Sequence, residues 1–475
     1  TARSAANLAF EQASFLTAAR MYEFCDKIQP SSSIFDVFRT YGQQGEVHER
    51  VASLDERIVY LERYLHAMTM SLTEANHAKE SLCMRYISAC ERNLREEDPD
   101  VELSLEQRDD ILRILWRTLL SVNREILTDD DFPKLQTLLG GPLVHPTSMG
   151  KAQLWFQIVK DLAMGRAYAK KLESFILGTE GHGVNPGQFS ENEPSVQYYL
   201  HVGWANYLYF ARGDYDAAAK YAAAGSMIAY QQKWTKEIIA SVCLFGCCLI
   251  GANRTQEAAQ TFNYLDQWQE RIGTHFERWV NLGNEAECYM MEGRLRVAEL
   301  RYQKVVGVLQ KHGIMNSSQT DAFSQFAILR LSRGPDEEID TLLESCREMA
   351  RKSNLLYNRW LRAKALSLWV NQNEAEAGLT LLDEADQLAP NNSGEILRNL
   401  AVKHYILTDI DANRASEVRK ELEERSSSSE EAANIWSNVQ ATGHFLPLPQ
   451  SAEEDYAYPV LNEQAIREML TSYAS

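Results

Sequence analysis

Four things are scarce in this 475-residue chain, and each scarcity removes a class of protein. Positive charge is short: 48 Lys and Arg stand against 66 Asp and Glu, a net charge of -18 with the acids spread along the chain. Such a surface gains nothing from displacing counterions, so neither nucleic acid nor an anionic membrane is expected as the main partner. Paired cysteine is absent. The eight cysteines (Cys25, Cys83, Cys90, Cys243, Cys247, Cys248, Cys288, Cys346) include no C-x-x-C and mostly sit in apolar helical runs. They read as small buried hydrophobes of a reducing compartment, with no disulfide framework. Long apolar runs are also missing, since Ile238 to Ala252 is too short and interrupted to cross a bilayer, and residues 1 to 30 hold no signal-like block. The expectation is a cytoplasmic or nuclear protein without membrane insertion, although a chain opening on Thr1 is compatible with a trimmed leader. Finally, no sustained period-two alternation bounded by Asn-Gly or Asp-Gly turns occurs, which leaves little room for strands.

Motifs of catalysis and ligation are equally scarce. His-Glu-x-x-His and Gly-x-Ser-x-Gly are absent. Gly150-Lys151 looks like the end of a phosphate loop, but His145 stands where the first glycine belongs and Ala152 replaces the magnesium-binding hydroxyl. Gly181-His182-Gly183 with Gly187 follows no strand and reads as a connector. Cys243 and Cys247 share a helix face without clustered histidine, so packing is favoured over zinc. Glu337-Glu338 reads as a solvated helix start. No catalytic residue, cofactor or metal ligand is expected, and the chain is expected not to be an enzyme.

What the chain does have is apolar residues recurring at three- and four-residue steps almost throughout, which predicts an all-α fold. Superimposed on this is a longer period. One helix ends at Gly213 and another begins at once through Asp214-Tyr215-Asp216-Ala217-Ala218. Gly213 can adopt the left-handed conformation that stops a helix, Tyr215 can wedge between two helices, and Ala218 lets their backbones approach. The pattern returns at Gly246, Asn253, Ala258 and Phe262, then at Ala286, Tyr289, Gly293, Leu295, Ala298 and Tyr302. A degenerate copy surrounds Gly334, with Ile339 and Leu343. A clearer one runs from Ala365 and Trp369 through Asn373, Gly378, Leu382 and Ala385 to Pro390. At the amino end Ala6, Ala9, Ala13, Phe15, Ala18, Tyr22, Cys25 and Pro30 give another match, with Ala13 in place of the turn glycine.

These copies resemble the tetratricopeptide (TPR) repeat over residues 1–30 and 198–390, in a variant with a period near forty. The resemblance implies a right-handed α-α superhelix in which helix pairs stack because none can bury its apolar faces alone. It also implies that the first helix of each pair lines a concave wall, placing Tyr207, Phe210, Cys247, Ile250, Glu287, Met290, Trp360, Ser367 and Val370 near a groove. That stripe is mostly apolar and lacks the Lys and Asn set by which some family members grip a terminal carboxylate. A scaffold or adaptor subunit capturing a helical or extended segment of a partner protein or peptide follows, with Tyr207, Phe210, Ile250, Glu287, Met290, Trp360 and Val370 as groove residues. The competing possibilities are that the stripe packs on the chain's own tail, or that the array is a ligand-sensing regulatory domain of a larger signalling or transcriptional regulator.

Other segments frame the array. Val47, Val51, Leu54, Ile58, Leu61, Leu65, Met68, Leu72 and Ala75 form a heptad seam continued by Leu82 and Tyr86. It reads as a long packed helix or a coiled coil, with self-association possible through residues 47–89. The predicted organisation is an amino-terminal helical region over 1–177, a loop over 178–197, the repeat array over 198–425, and a Ser/Glu/Pro-containing cap or tail over 426–475. That tail is predicted to end in an amphipathic helix from Glu463 to Tyr473.

Overall fold

The computed structural model of the chain describes residues 146, 148–163, 170, 173–177, 186–273, 278–312, 317–351, 354–388, 393–428, 430–447 and 456–474. Among them every regular element is a helix and none is a strand. The heptad seam from Val47, the helix pair of residues 1–30 and the glycines of 181–183 lie outside the described residues.

The helices are α1 (Met149–Ala163), α2 (Glu173–Leu177), α3 (Pro194–Tyr207), α4 (Tyr215–Gln232), α5 (Thr235–Gly251), α6 (Thr255–Ile272), α7 (Arg278–Met291) and α8 (Leu295–His312). They continue with α9 (Ser317–Leu331), α10 (Glu338–Ala350), α11 (Asn354–Gln372), α12 (Ala375–Leu388), α13 (Ser393–Ile410), α14 (Ala412–Arg425), α15 (Glu430–Thr442) and α16 (Glu463–Ala474). Part of the predicted 178–197 loop is ordered: a 3-10 turn covers Pro186–Glu191 and α3 already begins at Pro194. Gly150 and Lys151 lie inside α1, where no phosphate loop could form. No described helix is long and apolar enough to cross a membrane.

Left-handed residues punctuate the helices. Gly213, Asn253 and Gly293, forty residues apart, have φ of 65°, 58° and 76°; Asn373 and Gly334 take φ of 57° and 137° further on. Lys233 and Gly273 fall midway between the first three, also at positive φ. Asn253 and Gly293 close their helices with the same pair of bonds. The next residue's N–H reaches five residues back, at 2.8 Å (Arg254 to Leu249) and 2.9 Å (Arg294 to Tyr289). Lys233 does likewise, through Trp234 N–H to the Ala229 carbonyl at 3.0 Å, although a lysine pays a steric penalty there. At Gly213 the last turn, Leu208–Arg212, widens to a π-turn, and Asp214 N–H bonds the Leu208 carbonyl at 3.2 Å. The Asp214 side chain then caps α4 by accepting Ala217 N–H at 3.2 Å. A helix of 17 residues, a short turn and a helix of 18 explain the period near forty.

The chain divides into two compact units. The first comprises residues 1–207, 224–240 and 268–276. In it α3 packs on α1: Gly203 lies so close to Trp155 that a Cβ there would sit 2.5 Å from the ring. Tyr198 donates to the Glu237 carbonyl at 2.9 Å and sits edge-on to Trp234. His201, edge-on to Phe189, is pushed down to about 4 by burial, so it is neutral near pH 7.

The second unit comprises residues 208–223, 241–267 and 277–475. Here α7 packs on α8, α9 on α10, α11 on α12 and α13 on α14, while the first helices also pack serially, α7 on α9, α9 on α11 and α11 on α13. The small residues do what their size suggests. A Cβ on Gly378 would stand 2.8 Å from the Ala365 carbonyl oxygen, so α11 and α12 touch backbone to backbone. Gly246 receives the Phe262 ring, and Gly251 receives the ring of Tyr215. Ala258, Ala298, Phe262, Tyr302, Leu343 and Leu382 are all buried.

Candidate functional site

The stripe predicted to line a groove is mostly packed inside the molecule. Tyr207 belongs to the first unit, where it is buried and stacked on Trp204 at 5.2 Å. In the second unit Ile250, Glu287, Met290, Trp360 and Ser367 are buried, while Phe210, Cys247 and Val370 are half-buried. Trp360 is fixed from several sides. Its Nε1 donates to the Leu343 carbonyl at 2.8 Å, its ring stacks on Tyr357 at 5.7 Å, and the Arg347 guanidinium lies 5.7 Å from its centroid. It therefore holds α11 to α10, a role its sequence position did not reveal. Cys243 and Cys247 do share a face, and Asn284 Nδ2 approaches the Cys247 sulfur at 3.3 Å. Among the described residues no group of three His, Cys, Asp or Glu could hold a metal ion.

Glu287 leads to a feature that the sequence reading missed. Arg398 of α13 reaches Glu287 of α7 at 3.2 Å, joining helices 111 residues apart in sequence. Between them, Arg359 of α11 holds Asp321 of α9 at 2.8 Å and Glu395 of α13 at 2.8 Å, and Arg362 holds the other Glu395 oxygen at 2.7 Å. Three guanidinium groups and three carboxylates thus form one charge-balanced cluster across four first helices. Burial opposes the charge on Glu395, but Arg359, Arg362 and Arg398 hold its carboxyl well below the usual carboxylate range. Burial likewise opposes Arg359, yet Asp321, Glu395 and Glu287 hold it charged beyond its ordinary value. The signal was present as Arg359 with Arg362 and Glu395 with Arg398, each pair three residues apart, but charged residues at such spacing are as common on solvated faces.

A second feature lies on other faces of α5 to α7, where the carboxy-terminal segment docks. Residues 456–462 have no regular secondary structure and α16 follows, burying Ile466 and Leu470. Tyr458 is held through every polar group it has. Its hydroxyl donates to Glu292 at 2.7 Å and accepts from Arg294 at 2.8 Å, its N–H donates to the Tyr289 hydroxyl at 2.9 Å, and its carbonyl accepts from Asn263 at 3.2 Å. The Tyr458 ring stacks on Tyr289 at 5.8 Å and lies under the Arg294 guanidinium at 4.2 Å. Tyr473 is held by the same set of groups: edge-on to Phe245 at 5.0 Å, under Arg254 at 4.7 Å, its hydroxyl 3.2 Å from Glu257. In both sockets the arginine is itself paired to the glutamate, Arg254 to Glu257 at 2.9 Å and Arg294 to Glu292 at 3.0 Å. Thr255 donates to Glu292 at 2.7 Å and so ties the two sockets together.

Beneath the tail, Glu285 is almost wholly inaccessible, and burial pushes its carboxyl up to about 7 despite Arg301 at 3.1 Å. Tyr289, one turn further along α7, is the residue whose hydroxyl accepts Tyr458 N–H. Arg254 and Arg294 are the residues that immediately follow the left-handed Asn253 and Gly293, so the forty-residue period could have found them. Asp214, Pro335 and Glu374 follow the other three turn residues. In comparison with known proteins, the chain matches no family model and no curated protein.

Proposed function

We propose that the chain is a non-enzymatic scaffold of tetratricopeptide-like helix pairs, stacked as a right-handed α-α superhelix, that captures a helical or extended segment of another protein. The observation that carries this reading is the return, every forty residues, of a left-handed residue followed by a buried small residue and a buried apolar knob: Asn253, Ala258 and Phe262, then Gly293, Ala298 and Tyr302. Helix pairs built this way expose apolar faces at both ends and are stabilised by neighbours, which generates extended surfaces suited to holding a partner. The net charge of -18 favours a protein partner over nucleic acid. Of the groove residues, Phe210 and Val370 keep accessible surface and are the anchors this reading retains.

The test is affinity capture by the whole chain, compared with a Phe210→Ala/Val370→Ala variant. Capture lost at an unchanged melting temperature supports the groove. Equal capture by both proteins would remove those two anchors, and no capture by either would remove the scaffold reading.

A further inference from the structure

We propose that the two sockets around Arg254 and Arg294 are a peptide-reading site that the chain's own tail occupies, and that its external ligand is a partner segment with the tail's pattern. That pattern is a Tyr-Pro outside regular structure, an amphipathic helix, and a second tyrosine fifteen residues after the first. The proposal rests on the scaffold reading and adds to it a second site, built from residues other than Phe210 and Val370.

The tail itself shows what the site recognises. Each socket has an aromatic floor (Phe245 or Tyr289), an arginine roof (Arg254 or Arg294) and a glutamate at the far end (Glu257 or Glu292). The floor and roof suit any aromatic ring, by edge or face packing and by cation–π attraction. The glutamate selects: it accepts a phenol O–H, gains nothing from phenylalanine, and repels a phosphate. The sockets therefore read unmodified tyrosine. Between them the tail offers Ile466 and Leu470 to the array, both buried, and these with Tyr473 lie on one helix face at four- and three-residue steps. The two arginines stand forty residues apart while each socket draws its floor and its glutamate from different positions, so a ligand must present two tyrosines at the spacing the tail shows. A single tyrosine would satisfy only half the site.

The covalent tail holds an effective concentration of about a millimolar, so a free segment competes poorly until that link is cut or outbid. This defines the experiment. A protease site is placed after Ser451 in the full-length chain, and a fluorescent peptide of residues 453–475 is added before and after cleavage. The uncut chain is expected to exclude the peptide. The cut chain is expected to exchange its tail for it, with Arg294→Ala weakening that exchange about tenfold. A peptide phosphorylated at Tyr458 and Tyr473 is expected to bind at least about tenfold more weakly than the unmodified one.

The proposal is overturned if uncut and cut chains bind equally, if the cut chain keeps its helicity yet never exchanges, or if it unfolds when the tail leaves. Equal binding of the phosphorylated peptide would also sink it. Dimers of the uncut chain that dissolve on adding peptide would assign the sockets to a second copy instead of a partner. Failure here with intact capture through Phe210 and Val370 leaves the scaffold reading standing, and the reverse result leaves the sockets standing without it.

Discussion

Two faces of α7 show how one helix serves two unlike purposes. Glu287 points into the cluster of Arg398, Arg359 and Glu395, while Glu285 and Tyr289, each two residues away and so on nearly the opposite face, lie beneath the tail. The first face is closed by charge. Its side chains are buried or half-buried, paired with one another, and reach across four first helices. The second is closed by a segment of chain that meets it through tyrosine hydroxyls, stacked rings and two leucine-sized contacts. Charge that is fully paired within the molecule makes a permanent joint, whereas a surface satisfied only by a docked segment can in principle exchange it. Two buried carboxyls also titrate in opposite directions, because Glu285 has one nearby guanidinium against its burial and Glu395 has three.

The largest effect is expected where charge is buried. Arg359→Ala strands Asp321 and Glu395, and should cost about 3–5 kcal/mol in urea denaturation, with faster amide exchange throughout α9, α11 and α13. A loss under about 1 kcal/mol would mean that the cluster is hydrated and not a joint. Leu470→Ala removes a fully buried side chain on the tail and should cost about 2–4 kcal/mol of tail docking, read as faster exchange confined to 463–474. Exchange spreading into α11 would erase the distinction between the faces.

Titration sharpens the contrast further. Glu285 has its folded-state pKa raised to about 7, so its stabilising contribution is complete below the usual carboxylate value and is lost as pH rises through 7. Between about pH 5 and 8 the protein should lose about 2–3 kcal/mol for this reason, and Glu285→Gln should flatten that slope and be the more stable protein at pH 8. Glu395 runs the other way: its pKa is depressed, so its contribution is present above the usual carboxylate value and fails only in stronger acid. The smallest effect separates two turns that both hold a glycine at positive φ. Gly213→Ala meets no neighbouring atom and should cost about 1–2 kcal/mol through φ alone, and the buried Gly293, also at positive φ, should cost at least about as much when changed to Ala. Only Gly293→Ala, between Glu292 and Arg294, should also speed tail exchange.

Much of the fold was legible because it depends on local chemistry. Gly213, Asn253 and Gly293 were readable as helix stops, since a left-handed residue restricts which side chains fit. Lys233 was not, because lysine has no such preference and is tolerated there only with the closing bonds from Trp234 and Lys233 itself. The helix near 463–473 was legible from its apolar spacing, and its docking was not. The burial of Trp360 against Leu343 was not legible, because helical periodicity identifies a face without identifying what covers it. Phe210 and Val370 kept part of their surface, whereas Ile250 and Met290 are buried.

The sequence by itself determined the helices, where they stop, and the forty-residue period, because helix formation and termination act over a few neighbouring residues. Only the tertiary structure decided that Glu287 would meet Arg398, that Trp360 would bond Leu343, and that Tyr458 and Tyr473 would find Arg294 and Arg254. Those pairings span from 17 to more than 200 residues, and which partners meet at such separations depends on how many helices stack between them.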